Sequence, residues 1–167
     1  MSEGQMQETK KSPAELALEE KLKALTARRE ANAEKKRLAE LQAEVLKNAR
    51  ELEEDELEEK LKAERPGEEL GIHFDFLRFG AYLVAFKKAP GPLVERWTKR
   101  LPEKGQPHPA EVRNLARPCV LGVYQDGEEL GGEAFDRVAE DFPGAPIDIV
   151  NVLLAMTSGA AARRRKK

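Results

Sequence analysis

Apolar and polar positions alternate in two different ways along this chain, and the change comes near residue 66. From Ser12 to Arg65 no Gly occurs and the only prolines are Pro13 at the start and Pro66 just past the end, which predicts one helix of about fifty residues. Ser12-Pro13-Ala14-Glu15 starts it: Ser12 can cap free amides, Pro13 suits the first helical position, and Glu15 completes a capping box. Ala17, Ala24, Ala31, Leu38, Val45 and Leu52 recur every seven residues, with Glu20, Ala27, Glu34, Leu41, Asn48 and Asp55 at the complementary positions. The seam is apolar from Leu38 to Leu52, interrupted by Asn48, and thin and alanine-rich before that. Leu18, Leu22 and Leu25 form a second stripe on a different face. Two readings follow, a charged helix in solvent held by Glu–Lys pairs four apart, and one strand of a coiled coil. The acidic patch Glu51–Glu59 is expected to loosen the last turns, and Arg65-Pro66-Gly67 to end the helix in a hinge.

The second part begins at about Glu69 and carries short apolar patterns. Ile72, Phe74 and Phe76, then Tyr82 to Phe86, bracket Arg78-Phe79-Gly80 and predict a β-hairpin, with a short buried helix as runner-up. After Ala89-Pro90-Gly91-Pro92, residues Leu93 to Leu101 place Leu93, Val94, Trp97 and Leu101 on one helical face. Trp97 reads either as a partner-binding anchor or as core, and in so small a head the core reading leads. Pro102 to Pro109 reads as a polar loop. A helical pattern starts at Ala110 (Val112, Leu115, Ala116) and Pro118 kinks or ends it, leaving Cys119-Val120-Leu121 as its continuation or as an extended piece. Asp126-Gly127 and Gly131-Gly132 bound an expected surface loop. Helices are expected over Glu133–Phe142 and Ile147–Met156, joined by a turn at Pro143–Pro146, with Asp148 in the first turn of the second. The fold class is therefore mainly α: residues 1–11 disordered, a long N-terminal charged helix with coiled-coil potential over 12–66, a small α-rich head with a β-hairpin over 69–158, and a basic tail over 159–167.

Composition narrows the function classes. Of the 167 residues 36% are charged and 5% aromatic, too polar for one core across the whole chain, and the aromatics lie after residue 70. The head must therefore hold the core, and the long helix needs a partner, the head, or solvent to face. The net charge of −2 argues against a polyanion binder by bulk charge. One cysteine, Cys119, excludes an internal disulfide and fits a reducing compartment. No apolar run has the length of a membrane span, and Met1–Lys11 lacks the apolar core of a signal peptide, so a cytoplasmic protein without a membrane partner is expected.

Candidate chemistry is sparse. With His73, His108 and Cys119 scattered along the chain, neither a nucleophilic triad nor a Cys/His metal site is in sight. His73 reads as a strand-edge side chain and Cys119 as a small buried hydrophobe. Asp136, Glu140 and Asp141 read as surface carboxylates. Gly131-Gly132 lacks the Lys-Ser/Thr of a phosphate loop. No enzyme and no cofactor are expected. Partner-binding candidates are Leu38, Leu41, Val45 and Leu52 on the seam, Trp97 in the head, and Arg163, Arg164, Arg165, Lys166 and Lys167 in the tail. Five adjacent cations give only non-specific affinity for nucleic acid, and the head shows no stacking surface, so that class ranks last.

The order of the head resembles small phage tail assembly chaperones. The elements that carry the resemblance are Tyr82 to Pro90, a short helix with an aromatic over Glu95 to Leu101, and a Leu-x-x-x-Cys-Val segment over Leu115 to Val120. Phe135 to Pro143 and an apolar helix closing on a Gly and a Lys-rich end, Ile147 to Lys167, complete it. It covers residues 72–167. The long charged helix in front departs from the family, as does Leu121-Gly122 where the family has a Pro after Cys-Val. The resemblance implies non-catalytic work in the host-cell cytoplasm, binding a tape-measure protein, or another helical virion protein, while the tail tube polymerises. A second expectation, from the residues themselves, is a scaffold or coiled-coil adaptor that self-associates through residues 38–52 or touches an acidic partner through the tail.

Overall fold

The computed structural model describes residues 10–100 and 107–158. The expected basic tail, most of the expected disordered N-terminus and most of the Pro102–Pro109 loop lie outside these residues. The chain divides into two compact units, Met1–Arg50 and Glu51–Lys167.

In the first unit the described structure is helix α1, which starts at Pro13 and runs to Glu64. Its N-terminus is a reciprocal cap. Ser12 N donates to Glu15 Oε2 at 2.9 Å, and Glu15 N donates to Ser12 Oγ at 3.3 Å, so two amides that begin the helix are satisfied by side chain. Every residue from Glu20 to Arg50 is exposed. Ion pairs such as Lys36–Glu40 at 3.9 Å lie along the surface, where each is worth a few tenths of a kcal/mol, ~0.3–0.5.

The second unit contains the last turns of α1, a four-stranded antiparallel sheet and four short helices. The strands are β1 (Phe74–Phe79), β2 (Tyr82–Lys87), β3 (Val120–Gln125) and β4 (Glu128–Leu130), in the order β1-β2-β3-β4. The helices are α2 (Gly91–Arg100), α3 (Pro109–Ala116), α4 (Ala134–Asp141) and α5 (Ala145–Thr157). Both faces of the sheet are covered, which explains why Tyr82–Phe86 is apolar without interruption. Along β2 the side chains alternate: Val84 and Phe86 join the core shared with α2, α3, α4 and α5, whereas Leu83 and Ala85 face Leu57 and Leu61 of α1. Trp97, Val112, Leu115, Phe135, Val138, Ile149 and Leu153 build the larger core. Phe74 and Tyr124 complete the smaller one.

The mainly α class with a long N-terminal helix and a β-hairpin is what the structure has; three local expectations change, and the alternative left open at Pro118 is decided. The hairpin is one half of a larger sheet. Asp126 (φ +51) and Gly127 (φ +79) are not the edge of a loop but the two-residue turn between β3 and β4, with Gln125 opposite Glu128. An Asp-Gly pair with both residues at positive φ matches the twist of adjacent strands. The helical pattern from Ala110 stops at Ala116, and a single 3-10 turn over Arg117–Cys119 hands the chain to β3, so Val120 and Leu121 are extended.

The third change concerns the end of α1. Its last turns are not loosened by Glu51–Glu59, and the head does not begin at Glu69. Leu57 and Leu61 are 5% and 1% exposed against the sheet, which holds the helix in place to Glu64 despite the acidic charge. Residues 51–64 thus belong to the folded head. The Arg65-Pro66-Gly67 stop is present, with Gly67 at φ +83 and Glu68 N donating to Arg65 O at 3.1 Å.

Candidate docking face

An apolar surface open to solvent lies on the helix of the first unit. Leu41, Gln42, Val45, Leu46 and Ala49 line a shallow groove there. At 3.6 residues per turn, steps of three and four return to one side of a helix, so Leu38, Leu41, Val45 and Ala49 share a stripe, and Leu46 widens it by about 60°. Leu16, Leu18, Leu22, Leu25, Leu38, Leu41, Val45, Leu46 and Leu52 are all between 51% and 67% exposed. Leu18, Leu22 and Leu25 fall on a different face from Leu38, Leu41 and Val45, so the contiguous apolar patch is the one around the groove.

The sequence candidates divide. Leu38, Leu41 and Val45 are exposed on the groove side, and Leu52 is exposed at the start of the second unit. Trp97 is fully buried in the larger core, so it is a packing residue and offers no anchor to a partner. Its indole Nε1 has no hydrogen-bond partner among the described residues. Arg163 to Lys167 lie outside the described residues. Leu46 and Ala49 were not singled out by the seven-residue repeat, because they fall beside its two seam positions.

In the second unit the polar groups are engaged in structure. Arg78 Nε donates to Glu54 Oε1 at 2.8 Å and its Nη2 to Glu53 Oε2 at 3.0 Å. Burial works against the Arg78 charge, but the hydrogen bonds and charges of Glu54 and Glu53 outweigh it and raise the pKa above its ordinary value. Asp136 holds Arg117 and lies 3.6 Å from Arg113 Nε. Tyr82 donates to Asp141 at 3.2 Å. His73 Nδ1 accepts from Glu69 N at 3.0 Å, within the turn before β1 and not on a strand edge, and His108 Nδ1 accepts from Ala110 N at 3.3 Å as the cap of α3. Cys119 is fully buried; burial pushes its thiol up to about 11, partly offset by the charge of Lys87, which makes it a poor nucleophile at neutral pH.

A depression beside the α1 end is lined by Glu53, Leu57, Lys60, Leu83 and Tyr124. Lys60 Nζ sits 4.8 Å from the centre of the Tyr124 ring, and burial, then Glu129 and Glu64, raise the tyrosine pKa. Another, open to solvent, lies between β3 and Gly131-Gly132, beside Arg117 and Phe135. No group of three His, Cys, Asp or Glu residues among those described is placed to hold a metal ion. No helix among them is long and apolar enough to cross a membrane.

Compared with known proteins, the chain matches no family model, no curated protein and no solved structure. The face on α1 is therefore judged by its own chemistry.

Proposed function

We propose that this chain is a non-enzymatic assembly protein that takes up a helical partner on the apolar face of α1. The observation that supports this reading is that Leu38, Leu41, Val45 and Leu46, each more than half exposed, stand together along one side of this helix. Burying a Leu or Val fully contributes about 1.5–3 kcal/mol. A helix exposing several of them gains most by laying them against another apolar helical stripe, as in helix-in-groove and coiled-coil recognition. The interrupted seam, with Asn48 among the leucines, suits a partner that is bound and released more than a permanent coil.

The narrower form of the proposal comes from the resemblance of residues 72–167 to phage tail assembly chaperones. On that reading the partner is the long helical tape-measure protein, kept soluble in the host-cell cytoplasm while the tail tube polymerises. The alternative of a scaffold that touches an acidic partner through Arg163–Lys167 draws on no described residue.

Co-expression with a helical tape-measure protein tests the proposal. The expected result is a soluble complex that purifies through two columns and is lost when Leu41 and Val45 are both replaced by Ser. An unchanged solubility of the client, or a complex indifferent to Leu41→Ser/Val45→Ser, would refute it.

A further inference from the structure

Charge along α1 is arranged in two opposed blocks around the apolar groove. Between Lys21 and Arg37 lie seven cations (Lys21, Lys23, Arg28, Arg29, Lys35, Lys36, Arg37) and two carboxylates, Glu30 and Glu34. Glu51–Glu59 holds seven carboxylates and no cation. The basic block is centred on residue 29 and the acidic block on residue 55, and midway between them falls residue 42. Gln42 lines the groove, flanked by Leu41 and Val45.

We propose that the groove is covered by a second copy of this chain, with the two α1 helices antiparallel and crossing near Gln42. This rests on the reading of the face as a helix-docking surface but names its occupant when no client is present. In a parallel pair each basic block would lie on a basic block and each acidic block on an acidic one. Like charges facing each other oppose association and opposite charges select orientation. Turning one helix round places the basic block of each copy beside the acidic block of the other, twice per dimer. Arg28, for example, then falls beside Glu56 of the second copy. The residues needed are accessible: Lys21, Arg28 and Lys35, spaced seven apart in line with Gln42 and Ala49 of the groove, are exposed, as is Glu56, seven residues beyond Ala49. At the crossing, Leu38, Leu41, Val45 and Leu46 of both copies meet, so the apolar face is closed by the same geometry that pairs the charges. A client helix then competes with the second copy for one surface.

Light scattering on the full chain over a range of concentrations, at about 0.05 M and about 0.5 M salt, reads the association. The expected result is a dimer whose dissociation constant rises about tenfold at the higher salt, and which is lost in Leu41→Ser/Val45→Ser while the melting of the second unit stays unchanged. Orientation is read by nitroxide distances on Arg28→Cys, with the unsubstituted chain as control because Cys119 is buried. Two labels at position 28 should lie about 40 Å apart in the antiparallel pair, since each is fourteen residues from the crossing at 1.5 Å per residue. A parallel pair would bring them to about the ~10 Å spacing of packed helices. A mixture of Arg28→Cys and Glu56→Cys chains should add the short distance, from the dimers that carry one of each. A monomer at all concentrations, a short 28–28 distance, or a dimer indifferent to the double Ser variant would each overturn the inference. A monomer that still captures a helical client would overturn it while leaving the proposed function intact; a dimer that captures none would do the reverse.

Discussion

Arg78 Nε lies 2.8 Å from Glu54 Oε1, joining residues that are 24 apart in sequence and belong to different elements, β1 and α1. With Glu53 at 3.0 Å on the same guanidinium, the contact is a fork between two carboxylates of one helix turn. Hydrogen bonds to charged groups contribute about 1.5–3 kcal/mol, and a half-buried pair that loses one partner leaves the other uncompensated. Arg78→Ala should lower the stability of the second unit by about that amount in urea unfolding. Arg78→Lys should recover only part of the loss, because an ammonium lacks the planar fork.

The last turns of α1 should be inseparable from the head. Leu61→Ala removes a side chain only 1% exposed between α1 and the sheet and should cost about 2–5 kcal/mol. A chain beginning at residue 51 should show a cooperative melt close to that of the full protein. A chain beginning at residue 69 should aggregate or lose its melt, since Leu83, Phe74 and Tyr124 would face water. Equal melting of the two truncations would show that the helix end adds nothing to the fold.

Gly80 and Gly127 both turn hairpins at positive φ, +58 and +79, but their surroundings differ. A Cβ at Gly80 would lie 2.6 Å from Cζ of Phe142, whereas nothing stands within 4 Å of one at Gly127. Each Ala substitution carries the backbone strain, more than about 1 kcal/mol. Gly80→Ala should cost measurably more than Gly127→Ala in thermal unfolding, and Phe142→Leu should narrow the difference.

Cys119 gives the fold an alkaline limit. Its thiol has an ordinary value of 9.0 and is pushed up to about 11 in the folded chain by burial. The folded state therefore holds the proton more tightly than the unfolded state. The resulting stabilisation is complete below pH 9.0 and is lost as the pH rises through about 11. Urea unfolding from pH 8 to 11 should show a steeper fall for the native chain than for Cys119→Ala. That variant should start from a lower stability because of the cavity it creates. Parallel slopes would exclude the thiol as the cause.

Much of this architecture was legible in the order of residues. The capping box at Ser12 and Glu15, the glycine-free run behind it, the hairpin around Gly80 and the helices holding Phe135 and Ile149 depend on contacts a few residues apart, and local chemistry decides them. The exposed seam Leu38–Leu41–Val45 was legible for the same reason, since a seven-residue repeat survives on a helix that has no core of its own. The Asp126-Gly127 turn was also there to be read, but Glu128–Leu130 is too short and polar to announce a strand.

What only the tertiary structure decided is where the acidic end of α1 belongs and what Trp97 does. Leu57 sits within the seven carboxylates of Glu51–Glu59 and Leu61 just past them between Lys60 and Lys62, so their local pattern reads as a solvated, loosening end. They are ordered by Phe74, Leu83, Ala85 and Tyr124, residues at least thirteen positions away that pairing of the strands brings to one face of the sheet. Trp97 lies on an amphipathic helix whose sequence favours a core role over a partner anchor without saying what it packs against. The packing of α2 on Val84 and Phe86 turned it inward, because apolar area is removed from water by whichever surface the folded chain presents to it.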